Sequence, residues 1–299
     1  MNTAVKLAAF GTGLAVAFGA AVGIGAAVGP VRTTAQSADP HGMGAGKHEQ
    51  AAAGEQPVKG LLVSQDGYTL DLAADAAAPG AATPVAFRIL GPDGHPVTAY
   101  DESHDQDLHL IAVRRDLSGF QHVHPALGAD GVWTSRLALT PGTWRLFADF
   151  VPSADGTNRT LGADLAVAGE FEPVPFPSES QTAEVDGYTV TLLGDLAPGK
   201  ESELTLSVAR AGRPVTDLQP YLAAYGHLVV LRAGDLAYLH VHPAGEPGDG
   251  RTQPGPDITF LTTAPSAGTY RLFLDFQHGD VVRTAAFTVH AGEHAEAGS

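Results

Sequence analysis

The stretch His109 to Pro125, HLIAVRRDLSGFQHVHP, returns 118 residues later without a gap as His227 to Pro243, HLVVLRAGDLAYLHVHP. Around it, Asp66-Gly67-Tyr68-Thr69 recurs as Asp186-Gly187-Tyr188-Thr189 at an offset of 120, and Gly94-His95-Pro96-Val97-Thr98 as Gly212-Arg213-Pro214-Val215-Thr216 at 118. Gly142-Thr143-Trp144-Arg145-Leu146-Phe147, with Asp149 and Phe150, recurs as Gly268-Thr269-Tyr270-Arg271-Leu272-Phe273, with Asp275 and Phe276, at 126. Anchors in one order mark a duplicated unit. The jump from 118 to 126 places an insertion in the second copy, within the turn-rich stretch Ala244 to Pro256.

Each unit consists of short runs rich in Val, Leu, Phe and Thr, cut by Gly, Pro and Asp clusters at intervals of about 8 to 12 residues, the pattern of a β-sandwich. The expected fold is all-β: two tandem immunoglobulin-like sandwiches at 57–170 and 178–291, joined by the stiff Pro-rich segment Phe171 to Pro177. Trp144 and Tyr270, each following Gly-Thr at a strand start, are expected to act as the tyrosine corner of such sandwiches.

From Leu7 to Val31 the chain runs 25 positions without a charge, longer than the ~20 residues a membrane-spanning helix needs. Residues 1–32 are therefore read as an N-terminal transmembrane anchor, with Lys6 favouring a cytoplasmic N-terminus. A cleaved signal ending near Thr33-Thr34-Ala35 is the competing reading, and either one places the body on the extracytoplasmic side. Residues 33–56 read as a flexible tether and 292–299 as a disordered tail.

The 299 residues, 44% hydrophobic, suffice for two cores. Beyond residue 60 the chain carries 13 basic and 30 acidic residues, a balance that repels phosphate polyanions and speaks against nucleic acid. The absence of Cys excludes disulfides and thiolate chemistry.

Six of the 13 His occupy matched positions: His109, His122 and His124, and His227, His240 and His242. In a strand, His122 and His124 point to one side. If the hairpin loop is Arg115 to Ser118, then Val113 opposes Phe120, Ile111 opposes His122 and His109 opposes His124, and all three rings share a face. The same rule pairs Leu231 with Tyr238 and His227 with His242, and aromatic–aliphatic cross-strand pairing supports the register. Three imidazoles per unit make an N-donor site suited to a divalent transition metal, copper first and zinc second. The competing reading is hydrogen-bonded edge residues with no ion. Asp149 and Asp275 are matched candidate fourth ligands, though each follows an Arg by four positions on one strand face, so ion pairs Arg145–Asp149 and Arg271–Asp275 are the plainer expectation. Weaker candidates are His104, beside Asp105 and Asp107, and the tether set His41, Met43 and His48.

No GxSxG, Walker or HExxH pattern occurs, and no Gly-rich turn leads from strand to helix for a nucleotide. His-x-His on a strand is similar to the cupin motif, but the Glu that should follow is missing after His124. The expectation is a protein without enzymatic activity.

The paired HxHP-ended stretches resemble the signature of exported bacterial β-sandwich proteins of the YtkA-like or FixH-like kind, and the likeness covers both units, roughly residues 57–291. It implies heavy-metal binding with the two triplets as ligands. The resemblance to CopC-type copper carriers is looser and implies only the compartment, since those bind through a mature N-terminal His. The combined expectation is a membrane-tethered metal carrier that buffers copper or delivers it to a transporter or oxidase. The alternative is an envelope scaffold that docks a partner protein.

Overall fold

In a computed structural model of the chain, the described residues are 58–239 and 241–292. The expected anchor at 1–32, the tether with His41, Met43 and His48, the position His240 and residues 293–299 lie outside them. No helix among the described residues is long and apolar enough to cross a membrane.

The first repeat runs β1 (Ser64–Gln65), β2 (Tyr68–Leu72), β3 (Ala76–Ala77), β4 (Gly80–Leu90), β5 (Tyr100–Asp101), β6 (Leu108–Arg114), β7 (Gln121–Val123), β8 (Ala126–Leu127), β9 (Trp133–Leu139), β10 (Gly142–Pro152) and β11 (Arg159–Val167). One sheet has the order β1-β2-β4-β9-β8, and the facing sheet β3-β11-β10-β6-β7 with β5 on β10. The second repeat runs β12 (Thr182–Val185), β13 (Tyr188–Leu193), β14 (Glu201–Arg210), β15 (Arg213–Pro214), β16 (His227–Arg232), β17 (Tyr238–Leu239), β18 (Val241–Pro243), β19 (Asp257–Thr263), β20 (Gly268–His278) and β21 (Val281–Ala291). Its sheets are β12-β13-β14-β19-β18, with β15 on β14, and β17-β16-β20-β21. The body is thus all-β, two copies of a two-sheet sandwich. Ala244 to Pro256, the expected insertion, carries no strand and joins β18 to β19.

Alternate side chains of the strands fill each core. Leu110, Ala112, Leu146 and Ala148 meet Phe87, Ile89 and Leu137 in the first repeat, and Leu228, Val230, Leu272 and Leu274 meet Leu204, Leu206 and Phe260 in the second. The two corner residues behave as the sequence suggests. Trp144 Nε1 donates to Thr140 O (2.8 Å) and the Tyr270 hydroxyl to Ser266 O (2.7 Å), each ring fully buried and its polar atom satisfied four residues upstream.

The remaining side chains of β6, β10, β16 and β20 form a third core, between the repeats: Ile111, Val113, Leu117 and Phe147 from the first, Val229, Leu231, Leu236, Tyr238 and Phe273 from the second. All seven residues of β6 are consequently buried, on both faces of the strand. The contacts are reciprocal. Phe120 stacks on Phe273 with centroids 4.0 Å apart, while their counterparts Tyr238 and Phe147 meet at 5.7 Å. Such i-to-j and j-to-i pairing is the mark of an isologous, two-fold contact, here within one chain. The entering segment adds to it: Tyr238 N donates to Lys59 O (3.0 Å) and Gly60 N to Thr160 O (2.8 Å). Gly162 is required beneath that segment, because a Cβ there would stand 2.1 Å from Gly60 O.

The connection between repeats is pinned rather than free. Val174 N donates to Asp116 Oδ2 at 2.9 Å, and the Arg114 guanidinium lies 5.0 Å over the Phe171 ring.

Both tryptophans, Trp133 and Trp144, belong to the first repeat. A Phe273→Ala substitution, made in the second, should cost about 3 to 5 kcal/mol, as for other buried aromatic truncations. Because the ring supports both sandwiches, the Trp-fluorescence urea midpoint should fall. An unmoved Trp transition would mean that the repeats unfold independently.

Candidate metal centre

The His ring positions follow from β6 and its hairpin. Ile111 pairs with His122 and Leu110 with Val123, the register expected from the sequence, so His109, Ile111 and Val113 share the face turned to the second repeat. In the second hairpin Leu231 pairs with Tyr238, again as expected. There the chain then leaves the sheet early. Val241–Pro243 pairs with β19 of the opposite sheet, and His242 lies against Leu261 on an exposed position instead of opposing His227.

His242 does not face His227 as the expected second triplet requires, and among the described residues the ligand atoms that converge form one cluster at the junction. His109 and His122 of the first repeat and His227 of the second offer ligand atoms that all lie within 4.8 Å of one another. His109 and His227 are counterparts, and their rings stack nearly parallel (11°, centroids 5.5 Å) across the pseudo-two-fold axis. His122 approaches His227 to 4.7 Å between centroids. His124 stands 5.1 Å from His109 and 5.0 Å from His122. His104 stands 5.6 Å from His227 and 6.1 Å from His109.

The two acids also depart from the ion pairs expected of them. Arg145 turns to Asp164 (3.1 Å) and to the carbonyls of Gly60 and Leu61, while Arg271 donates to Thr288 Oγ1 (2.7 Å). Backbone carbonyls, Asp164 and a hydroxyl within reach engage the terminal NH groups of the guanidiniums in place of the i+4 carboxylate, while each Nε stays buried without a partner. Asp275, opposite His227 in register, contacts His122 Nδ1 of the other repeat at 2.8 Å and accepts from Thr284 Oγ1 at 2.5 Å. Asp149, opposite His109, accepts from Asn158 Nδ2 at 2.6 Å, and Asn158 Oδ1 accepts from Lys59 Nζ at 2.5 Å. Only one of the two matched acids thus supports an imidazole of the cluster directly.

Proton positions follow from these partners. Ser103 O, 2.8 Å from His109 Nε2, can only accept, so that nitrogen carries the ring's proton. With Asp275 ionised, His122 Nδ1 donates to it, and His109 Nδ1 and His122 Nε2 become two bare lone pairs facing each other at 3.0 Å. That is repulsive unless a cation lies between them. With Asp275 protonated, the chain Asp275 to His122 to His109 to Ser103 is satisfied throughout. Two further nitrogens, His227 Nδ1 and His124 Nε2, are buried with no hydrogen-bond partner. The donor set fits an ion: metal–imidazole bonds of ~2.0 to 2.1 Å between cis ligands give N···N separations of roughly 2.9 to 3.4 Å. The carboxylate behind His122 is the usual orienting partner of a metal-bound imidazole.

Burial sets the charges. It drives His122 and His227 well below the ordinary imidazole value of 6.5, with the neighbouring imidazoles adding to the effect. Burial likewise lowers His124 to about 4 and lowers His104. It raises Asp275 to about 7, against the hydrogen bond from Thr284. His104, His122, His124 and His227 are accordingly held as neutral imidazoles, the form that ligates metals.

A family model for a domain of unknown function, DUF8832, matches residues 63–169 and again 183–293. The chain belongs to the DUF8832 family. The cluster therefore lies between two DUF8832 domains, with ligand atoms drawn from both. No curated protein matches the chain. Among solved structures, it is similar to the Escherichia coli adhesin FdeC at 17% identity and a TM-score of 0.25, covering 77% of this chain and 65% of that one. It is also similar to Salmonella alpha-2-macroglobulin reacted with methylamine, at 15% identity and 0.26, covering 79% and 15%, and to the bacterial integrin-binding protein invasin, at 14% and 0.21, covering 74% and 39%. The DUF8832 chain thus spans less than two thirds of each of these structures.

The lowered imidazoles of this DUF8832 pair bind protons in the unfolded chain below pH 6.5 but not in the fold, so folding stability falls on acidification. Each deeply buried ring contributes up to about 1.4 kcal/mol per pH unit. Asp275 has the opposite sign: raised in the fold from 3.8 to about 7, it favours the folded state as pH falls through that interval and offsets one ring. With four rings lowered against one acid raised, the melting temperature measured in EDTA should drop between pH 7 and pH 5. A flat or rising profile would show that the rings are not held neutral.

Proposed function

We propose that this DUF8832 protein is a membrane-tethered, extracytoplasmic carrier that holds one divalent transition-metal ion, foremost copper, between its two repeats. Each repeat is read as an immunoglobulin-like sandwich, in support of which β2-β4-β9-β8 faces β11-β10-β6 in the strand order of that fold. The uncharged run Leu7 to Val31 supports the tether and the compartment. His109, His122 and His227 are the ligands, and His124, its ring 5.0 Å from that of His122 and 5.1 Å from that of His109, is the proposed fourth. Asp275 orients His122. Nitrogen donors without Cys, and without Met beyond residue 43, favour Cu(II) or Zn(II) over Cu(I).

The observation that carries this reading is the convergence of ligand atoms of His109, His122 and His227 within 4.8 Å of one another, with a buried nitrogen of His227, contributed by the other repeat, left unpartnered. Ligands split between repeats suit storage or hand-over of the ion as cargo. A membrane transporter or an oxidase is the proposed recipient.

Cu(II) titration followed by calorimetry should give one high-affinity ion per chain, not two. His122→Ala, His109→Ala and, from the other repeat, His227→Ala should each abolish it, and Asp275→Asn should weaken it about 10- to 100-fold. Two equivalent ions, or binding that survives His227→Ala, would refute the shared site; wild-type protein that takes up no ion at micromolar Cu(II) would refute the metal function.

A further inference from the structure

His104 lies in a two-residue turn, Ser103 to Gln106, closed by Ser103 N to Gln106 O at 2.9 Å and Gln106 N to Ser103 O at 3.2 Å. Its two central residues both have positive φ, His104 at 53° and Asp105 at 60°, as in a type I′ turn, where Asn and Gly are the usual occupants. The second repeat repeats the turn at Tyr221 to Ala224, with Leu222 at 57° and Ala223 at 59°. The same strained backbone thus carries an imidazole in one repeat and an aliphatic side chain in the other. The backbone is common to both repeats, so a role specific to His104 has to come from its ring and from where that ring lies.

The place of His104 supplies one. Together with Leu222, Val241, Phe260 and His227 it lines a narrow cleft of about 10 Å³, room for one water-sized group. His104 is half-buried at this mouth, whereas His109 is buried within. Its ring contacts His227 and His109 and, unlike His122, it falls outside the group whose ligand atoms converge within 4.8 Å. The rings form adjoining triangles: His104, His109 and His227 share the His109–His227 edge with His109, His122 and His227. The outer set is the looser one, since its ligand atoms do not all lie within 4.8 Å of one another as those of the inner set do, and a transfer inward exchanges His104 for His122.

We infer that His104 is the entry ligand of this centre, taking a divalent transition-metal ion at the mouth with His227 and His109 and yielding it to His122. The inference rests on the metal reading of the cluster. In the exchange one metal–nitrogen bond forms to His122 as that to His104 breaks, and no electron is transferred.

His104→Asn tests this, because Asn tolerates positive φ and keeps the turn that positions Ser103 O on His109. His104→Gly, with no Cβ strain, is the second variant, and near-UV circular dichroism checks both folds. Stopped-flow uptake of Cu(II), and its removal by excess EDTA at concentrations where release is protein-limited, should both slow about tenfold or more in the variants. Because an entry ligand lowers the barrier in both directions, equilibrium affinity should stay within about threefold of wild type. Loss of affinity comparable to that of His122→Ala would overturn the inference by making His104 a resident ligand. Unchanged rates in both variants would overturn it by making His104 a bystander. Wild-type protein that binds no Cu(II) would remove the centre itself, a result separable from wild type and variants that load at equal speed.

Discussion

The constraint on which the rest of the molecule depends is that β6 and β16 are apolar on both faces. One face of each fills its own sandwich. The other, Ile111 and Val113 on β6 and Val229 and Leu231 on β16, has no cover within its own repeat. Exposing such a patch costs on the order of 1.5 to 3 kcal/mol per side chain, and the counterpart patch on the other repeat is the nearest surface of matching shape. Face-to-face packing follows, and the aromatic pairs Phe120–Phe273 and Phe147–Tyr238 lock it. Since His109 and His227 begin those same strands, closing the apolar centre also brings the imidazoles together and strips them of water. Assembly and desolvation of the cluster are one event.

Much of this was legible in the sequence. The hairpin register could be read from aromatic–aliphatic pairing across a four-residue loop, and it puts His109, Ile111 and Val113 on one face because side chains alternate. The corner roles of Trp144 and Tyr270 followed from their place after Gly-Thr. The relation between repeats was harder to see, though a signal existed: HLIAVR and HLVVLR lack the alternation of a strand with one wet face, unlike β9 with its pattern of exposed and buried residues. A strand buried on both faces inside a two-layer sandwich needs a third layer, and the duplicate unit is there to provide it.

Other features depended on geometry that one-dimensional pattern does not carry. His242 follows His240 by the same spacing as His124 follows His122, yet β18 crosses to the opposite sheet while β7 runs through Val123. The crossing is decided by where each strand finds hydrogen-bond partners. The i+4 spacing of Arg145 and Asp149 does put both on one face, but each has a stronger competitor there: carbonyls of the entering segment for the arginine, and an asparagine amide for the acid. A buried guanidinium takes whichever acceptors fit its fork, and backbone oxygens fixed in place cost no side-chain entropy.

A duplicated domain packed on itself about a two-fold axis places any residue near that axis beside its own copy, which is how His109 comes to stack on His227. Perfect symmetry would oblige both sides to offer the same groups. Here it is broken. Asp275 reaches His122 with Thr284 behind it, while the matched Asp149 is engaged by Asn158, itself bonded to Lys59; His104 occupies a turn where the other repeat has Leu222. Covalent fusion is what permits this, since the two copies can change separately while the apolar interface that both need is kept. Among the described residues, one repeat contributes most of the imidazoles and the other a ring and the carboxylate that contacts His122 across the junction. Among the described residues neither sandwich alone holds the set, so the cluster forms only when the interface between the repeats is closed.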